Sequence, residues 1–414
     1  MKLKNNYIII YYFILYISLI FGYFLGEDFA GGFKYDLNIH KNLIRDLFSE
    51  SLVYGLINYD KNYVPHSPLF IIYIIIFKKL FITEEIFRLF NLHLFLLIPI
   101  FVGLSLKIKY KLEKNDIRYL LPSIFLLSPY FRAGSIWTDD NIFALIFFSI
   151  SIYNFIKYEN NKSEFKYIVY LTVFLSIACY FRPIYSIFSI YFSIIIFMDL
   201  GLSRKIVYYI LLNLLLAFPA FYYVFILQIN KWATEYLFRE NIVTQVSLVS
   251  SVIVFYFFPF IVQEILKKNN KIFNFNSLFA CIFFLIFLFI FFDYNIDYSG
   301  GIFYKLSNLI FKNDYLFYLI STISLLIIYF LFIKYETNYK NLDILLIIIL
   351  FLLEIDGVIY HETYDPLIYI LILLLFKNEI IKKFISNFNL NKFLLLFSFL
   401  VFFYLSSIFK TLIL

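Results

Sequence analysis

The sequence predicts an all-α polytopic membrane protein, and three observations carry that reading. Hydrophobic residues make up 63% of the 414 residues and charged residues only 15%, against about 25% charged in soluble domains. Apolar runs of about 15 to 22 residues recur from one end to the other, and about 20 helical residues cross a bilayer core. Backbone inside lipid must satisfy its own hydrogen bonds, so runs of this length read as helices. Cys179 and Cys281 both lie within apolar runs, which argues against a disulfide framework. The net charge of +7 suits loops facing an anionic leaflet. No compact basic and aromatic patch points to nucleic acid.

The first element, Tyr7 to Leu25, follows the short polar start MKLKNN. Its apolar length of about 19 residues exceeds the 7–15 of a signal-peptide core, so it reads as an uncleaved first span. About 13 spans are expected in total. They fall at 7–25, 88–106, 119–133, 139–157, 167–181, 184–198, 206–227, 248–266, 277–292, 315–333, 341–355, 366–376 and 393–411. The whole chain, 1–414, reads as a single integral-membrane domain. A long outer first loop, 26–87, bears interfacial helices, and 88–414 forms the remaining bundle.

Segment 68–83 is apolar but is interrupted by Lys78 and Lys79 and followed by Glu84, Glu85 and Arg88. The positive-inside rule decides its place. Laid along the outer interface, it puts the basic run 107–118 and most of the 35 Lys and Arg on the cytoplasmic side. Made to cross, it turns that run outward. The N-terminus is therefore expected inside and the C-terminus outside, which gathers acids, His and Arg on the outer face. No G-x-x-x-x-G-K-[ST] or G-x-G-x-x-G motif occurs, so nothing signals a cytoplasmic nucleotide site.

Six groups of polar residues follow on that face. Glu27 and Asp28 end the first span, and Gly31 and Gly32 let the backbone turn at once. Acids at a lipid boundary suit a general base. From Tyr35 to Leu47 the pattern predicts a short helix with Leu37, Leu43, Ile44 and Leu47 inward, on which Asp36 and His40 share a face. His66 and Ser67 lie between Pro65 and Pro68, where Ser67 caps a helix that Pro68 opens and His66 is a candidate for the same outer pocket. Arg88, Arg132 and Arg182 stand at expected span ends. Their forked guanidinium groups suit a phosphate, or else they snorkel or pair with Asp139 or Asp140. Asp139 and Asp140 open the fourth span, where acids also stabilise a helix N-terminus. Last, 356–366 reads DGVIYHETYDP and supplies His361, Glu362 and Tyr364, or is simply a polar loop. Metal binding is weakly supported, since neither Asp36 with His40 nor His361 with Glu362 matches a specific ligand pattern. No other cofactor is implied.

These motifs resemble the GT-C class of membrane glycosyltransferases, which includes the protein O-mannosyltransferases, the aminoarabinose transferases of lipid A modification and the Alg-type transferases. The parallels are Glu27-Asp28, then His66-Ser67-Pro68-Leu69, then Arg88-Leu89-Phe90. SPYFRAGSIWTDDNIFALIFF, YFRPIY and YHETYDP continue them. The likeness covers residues 1–200 best. It departs from the class in the order Glu27-Asp28, where several members have Asp first.

The resemblance implies a GT-C-like bundle and an inverting transfer of a sugar from a polyprenyl-phosphate carrier to a glycan, lipid or protein acceptor. It implies Asp28, or else Glu27, as the base. Arg88, Arg132, Arg182, His361 and Tyr364 would sit at the donor phosphate. Asp36, His40, His66, Asp139, Asp140 and Glu362 would lie around the substrate. The expected partners are the lipid-linked sugar, membrane lipid and the acceptor; no nucleic acid is expected, and the oligomeric state is left open. The expected location is the bacterial inner membrane, multi-pass, with the working face outward. A polysaccharide polymerase or ligase usually carries its largest outer loop late in the chain, whereas here it is first. A flippase or transporter would show midplane charges and repeated halves.

Overall fold

A computed structural model describes residues 5–59, 67–81, 83–226, 242–266, 275–294, 299–334, 342–354 and 358–413. Within these residues the chain is all-helical, and eight helices are long and apolar enough to cross a membrane. The chain resolves into two compact units, Met1–Glu235 with Leu400–Leu414, and Tyr236–Phe399.

In the first unit, α1 (Asn5–Leu25) shows a narrow inner stripe. Leu15, Leu19 and Tyr23 are buried, while Phe13, Ile17, Phe21, Phe24 and Leu25 are exposed apolar side chains, on a helix long and apolar enough to cross a membrane. The four-residue spacing of the buried set follows from helical periodicity. A short connection leads to α2 (Phe33–Leu47) and α3 (Leu52–Ile57). α4 (Pro68–Lys78) starts as its sequence dictates, with Pro68 in the first turn and the Ser67 side chain accepting from the Leu69 amide. Its 11 residues are about half of what a bilayer crossing needs. α5 (Glu84–Phe95) and α6 (Leu97–Lys109) run on as one apolar stretch from Glu84 to Lys109.

The expected span 119–133 is not a continuous helix. A 3-10 turn at Ile117–Leu120 leads to α7 (Ser123–Leu127) and then α8 (Pro129–Trp137). Proline removes an amide donor and clashes with the preceding turn, and Pro122 and Pro129 stand at the starts of these pieces. Ser128 recaps the chain by accepting from the Phe131 amide at 3.1 Å. Every residue of α8 except Tyr130 is buried, so the broken backbone is enclosed by protein.

α9 (Asp140–Asn160) is the core of this unit. It packs against α6 and against α10 (Lys166–Phe181), through a ladder in which Phe143 and Phe147 both stack on Phe181. α11 (Phe188–Leu200) and α12 (Arg204–Phe221) complete the unit with largely exposed apolar faces.

The second unit is organised around the helix Ile242–Ile265. The Ser321 hydroxyl donates to the Ser247 carbonyl at 3.0 Å, tying that helix to Tyr315–Tyr329. The expected spans 341–355 and 366–376 are shorter here. Asp343–Phe351 has nine residues, and Leu367–Ile370 passes directly into a wider π turn at Leu371–Leu375. Asp343 is fully buried and holds the Lys377 amide with both oxygens at 2.9 Å, which fixes the end of that turn.

Candidate functional site

The two acids at the end of α1 have different fates. Gly26 adopts a left-handed conformation (φ 66°), and the Glu27 amide returns to the Gly22 carbonyl at 2.9 Å. That fold-back drives the Glu27 side chain into the protein, where it is 3% exposed. It meets Arg132 of α8, also 3% exposed, in a two-pronged pair with Nε to Oε1 at 2.8 Å and Nη2 to Oε2 at 2.7 Å. The other Arg132 donors go to the Ser18 hydroxyl and carbonyl and to the Leu126 carbonyl, and the Tyr404 ring lies 4.9 Å from its guanidinium.

All five N–H groups of Arg132 are thereby used. Arg132, expected from sequence at a donor phosphate, gives each of these donors to protein groups. Glu27 likewise has both oxygens engaged by Arg132. Gly22 makes the pair possible, because a Cβ there would stand 2.1 Å from Glu27 Oε2. Gly22→Ala is expected to break the pair and lower stability by about 3 kcal/mol or more, read as a lower melting temperature in detergent; unchanged melting would contradict the arrangement.

Asp28 stays at the surface of this buried lock. Gly31 and Gly32 are both left-handed (φ 85° and 73°), and the turn they make brings the start of α2 onto the Asp28 carboxylate. Phe33 N donates to Oδ1 at 3.1 Å and Lys34 N to Oδ2 at 3.2 Å. Asp28 is partly buried and makes no ion pair among the described residues. Burial is the largest influence and pushes its pKa up to about 6, against the lowering effect of the two amides; Asp36 adds a smaller push upward.

Asp36 is partly exposed on α2, and its charge is felt by both Asp28 and Asp139. His40 is buried with its ring edge against Phe70 at 5.1 Å, so it packs α2 on α4. The expected inward set is partly met, with Leu37 and Leu47 buried and Leu43 and Ile44 half-buried. Asp139 caps α9 through the amides of Asn141 and Ile142 at 2.9 and 3.2 Å. Asp140 is 1% exposed and pairs with Arg182 Nη1 at 3.2 Å. The first unit thus brings Asp28, Asp36, Asp139, Asp140 and Arg182 into one electrostatic neighbourhood.

Arg88 makes no ion pair among the described residues. It is 9% exposed on α5. Nε donates to the Ile136 carbonyl at 2.9 Å, and the guanidinium lies 3.6 Å from the centre of the Trp137 ring. Nη2 is buried with no hydrogen-bond partner. Such a group costs about 1–3 kcal/mol when left unmet, so its retention calls for an explanation. Trp137 meanwhile donates from Nε1 to the Glu27 carbonyl at 2.9 Å and lies 5.3 Å from the Lys34 ammonium.

The later candidates lie in the second unit. His361 is buried, its Nε2 accepts from the Ile302 amide at 2.8 Å, and its Nδ1 meets the Tyr256 hydroxyl at 2.9 Å. With Nε2 accepting, Nδ1 carries the proton. The ring therefore ties the loop to two helices, through Nε2 to the start of Gly301–Phe311 and through Nδ1 to Ile242–Ile265. Tyr364 is fully buried and donates to the Leu350 carbonyl at 3.3 Å, and Glu362 is half-buried in the one-turn helix His361–Tyr364. His361 and Tyr364, expected from sequence at the donor phosphate, both make local contacts within this unit. His66, and Asp356 of the late loop, lie outside the described residues. No three His, Cys, Asp or Glu side chains among the described residues gather closely enough to hold a metal ion.

Trp137, Tyr23, Gly22 and Tyr404 take part in the site without having been singled out. A glycine amid bulky apolar residues is the one available signal, since it marks a close approach. No family model, curated protein or solved structure matches this chain.

Proposed function

We propose that the chain is an integral-membrane glycosyltransferase of GT-C-like architecture, working at the outer face with a polyprenyl-phosphate sugar as donor. The observation that carries this reading is the division of labour between Glu27 and Asp28. Glu27 is locked to Arg132. Asp28, one residue on, is held by two amides at the end of an apolar helix, and its pKa of about 6 is matched to proton transfer near neutral pH.

In the proposed reaction Asp28 takes the proton of the acceptor hydroxyl. The hydroxyl oxygen forms a bond to the anomeric carbon as the bond from that carbon to the carrier phosphate oxygen breaks. The leaving phosphate keeps the electron pair, with inversion at the anomeric centre. Arg88 meets the charge that develops there, and Arg182, with a quarter of its side chain exposed, lies within the same charged neighbourhood. Asp36, Asp139 and Asp140 surround the sugar, and the apolar faces of the helices face the lipid.

Because Asp28 acts as a base in its ionised form, the transfer rate is expected to rise as pH increases through about 6 and to fall in acid. A rate independent of pH between 5 and 7.5 would contradict its role. The function is tested by mass spectrometry of surface glycans in a strain lacking the protein. Loss of one sugar, with its lipid-linked donor accumulating, is expected. Full-length glycans trapped on their carrier would favour a flippase, and shortened chains of complete repeats a polymerase. Cysteine labelling from outside at position 28, and from inside at position 111, tests the orientation.

A further inference from the structure

The junction between α8 and α9 is strained. Among the described residues other than glycine, Lys111, Asn115, Thr138 and Lys312 have a positive φ. Of these, Thr138 is the one that is both buried, at 1% exposed, and branched at Cβ. Its φ of 63° and ψ of 70° lie in the left-handed region, which a β-branched residue rarely enters. The surroundings hold it there. The Thr138 amide donates to the Gly134 carbonyl, and Gly134 lets α9 close on the turn, since a Cβ there would stand 2.9 Å from Ile142 Cγ1. Asn91 of α5, fully buried, donates from Nδ2 to Thr138 Oγ1 at 3.3 Å. Asn91 Oδ1 in turn accepts from the Tyr73 hydroxyl of α4 at 2.5 Å. Tyr73 thus orients Asn91, and Asn91 holds Thr138.

Backbone strain persists where the surroundings over-determine it, and it clusters at functional sites. The residues on either side of Thr138 belong to two different corners of the candidate site. Before it, Trp137 donates to the Glu27 carbonyl at 2.9 Å, next to Asp28. After it, Asp139 caps α9, Asp140 meets Arg182 at 3.2 Å, and Asn141 accepts from the Tyr185 hydroxyl at 3.0 Å. One turn therefore joins the corner that carries Asp28 to the corner that carries the acid pair. We propose that Thr138 is a positioning residue, held by Tyr73 and Asn91, that fixes the Asp28 carboxylate relative to Asp139, Asp140 and Arg182. Its effect on turnover rests on the reaction assigned under Proposed function; its effect on geometry rests on the turn alone.

The test uses the full chain in liposomes. Thr138→Gly removes Oγ1 and makes the left-handed turn free of strain, so its melting temperature should equal or exceed the parent's. Sugar transfer is expected to fall about 10- to 100-fold, the scale of a small misplacement between reacting groups. The loss should lie in kcat, with the donor KM little changed. Thr138→Ser keeps the contact to Asn91 and should behave as the parent does. Tyr73→Phe keeps the ring contacts to Phe77 at 4.5 Å and Phe143 at 4.4 Å and loses only the hydroxyl. It should lower kcat in the same direction at unchanged melting temperature. Spin labels at Tyr35 and Ser186, both exposed, in a chain with Cys179 and Cys281 replaced by alanine, report the geometry apart from turnover. Their distance distribution should be wider in Thr138→Gly and Tyr73→Phe than in the parent and Thr138→Ser.

Unchanged transfer and unchanged distances in both variants overturn the proposal. So does a loss of transfer that follows a loss of melting temperature, which is what a merely structural residue would give. Wider distances with parent-like transfer overturn the role of Thr138 in the reaction and leave the transferase standing. Wider distances with no transfer by the parent itself support the positioning and sink the transferase.

Discussion

Asp28→Asn is expected to lower sugar transfer by about 10²- to 10⁴-fold, the usual contribution of a positioned general base. The substitution removes the proton acceptor and little else. Asparagine keeps one oxygen to accept from the start of α2, so one of the two amide contacts, to Phe33 or to Lys34, is lost. That costs about 1 kcal/mol, and membrane insertion and melting should stay close to those of the parent. The transfer rate and the melting curve, measured on the same preparation, separate the chemical effect from a folding effect. Near-normal transfer removes Asp28 as the base.

Glu27→Gln is expected to act in the opposite way, through the fold. Its carboxylate is 3% exposed and balances an equally buried Arg132. Removing one charge of a buried pair leaves the other uncompensated and costs about 3–5 kcal/mol. The variant should therefore insert poorly or melt early, whatever happens to turnover in the fraction that folds. A double variant that also replaces Arg132 with Met should recover part of the loss, because an apolar pair of similar volume is often neutral. Full stability of Glu27→Gln alone would show that the pair does not hold the end of α1.

Much of the architecture is legible in the sequence, because helix and lipid exposure are local properties. The apolar runs, the proline starts at Pro68 and Pro129 and the serine caps at Ser67 and Ser128 all follow from residue type and short-range spacing. The span expected over 119–133 is broken, because Pro122 and Pro129 leave too little uninterrupted helix to cross. What the sequence does not carry is the choice of partner. Glu27 and Arg132 are 105 residues apart and Arg182 is 42 from Asp140, and nothing in either segment says which cation faces which acid. Three arginines at expected span ends look alike in sequence. Packing leaves one fully satisfied, one paired, and Arg88 with an unmet nitrogen. His361 is a similar case, because its two partners, Tyr256 and the Ile302 amide, come from separate helices.

The central claim is that Asp28 drives transfer of a sugar from an isoprenoid phosphate. It is tested most directly with purified protein in liposomes, a short-chain polyprenyl-phosphate hexose, and acceptor material extracted from membranes of the deletion strain, with the freed polyprenyl phosphate followed by mass spectrometry. The account predicts acceptor-dependent release by the parent protein and release near background for Asp28→Asn at equal protein and equal melting temperature. Equal release by the two proteins, or no release by the parent in the presence of the extract, would contradict it.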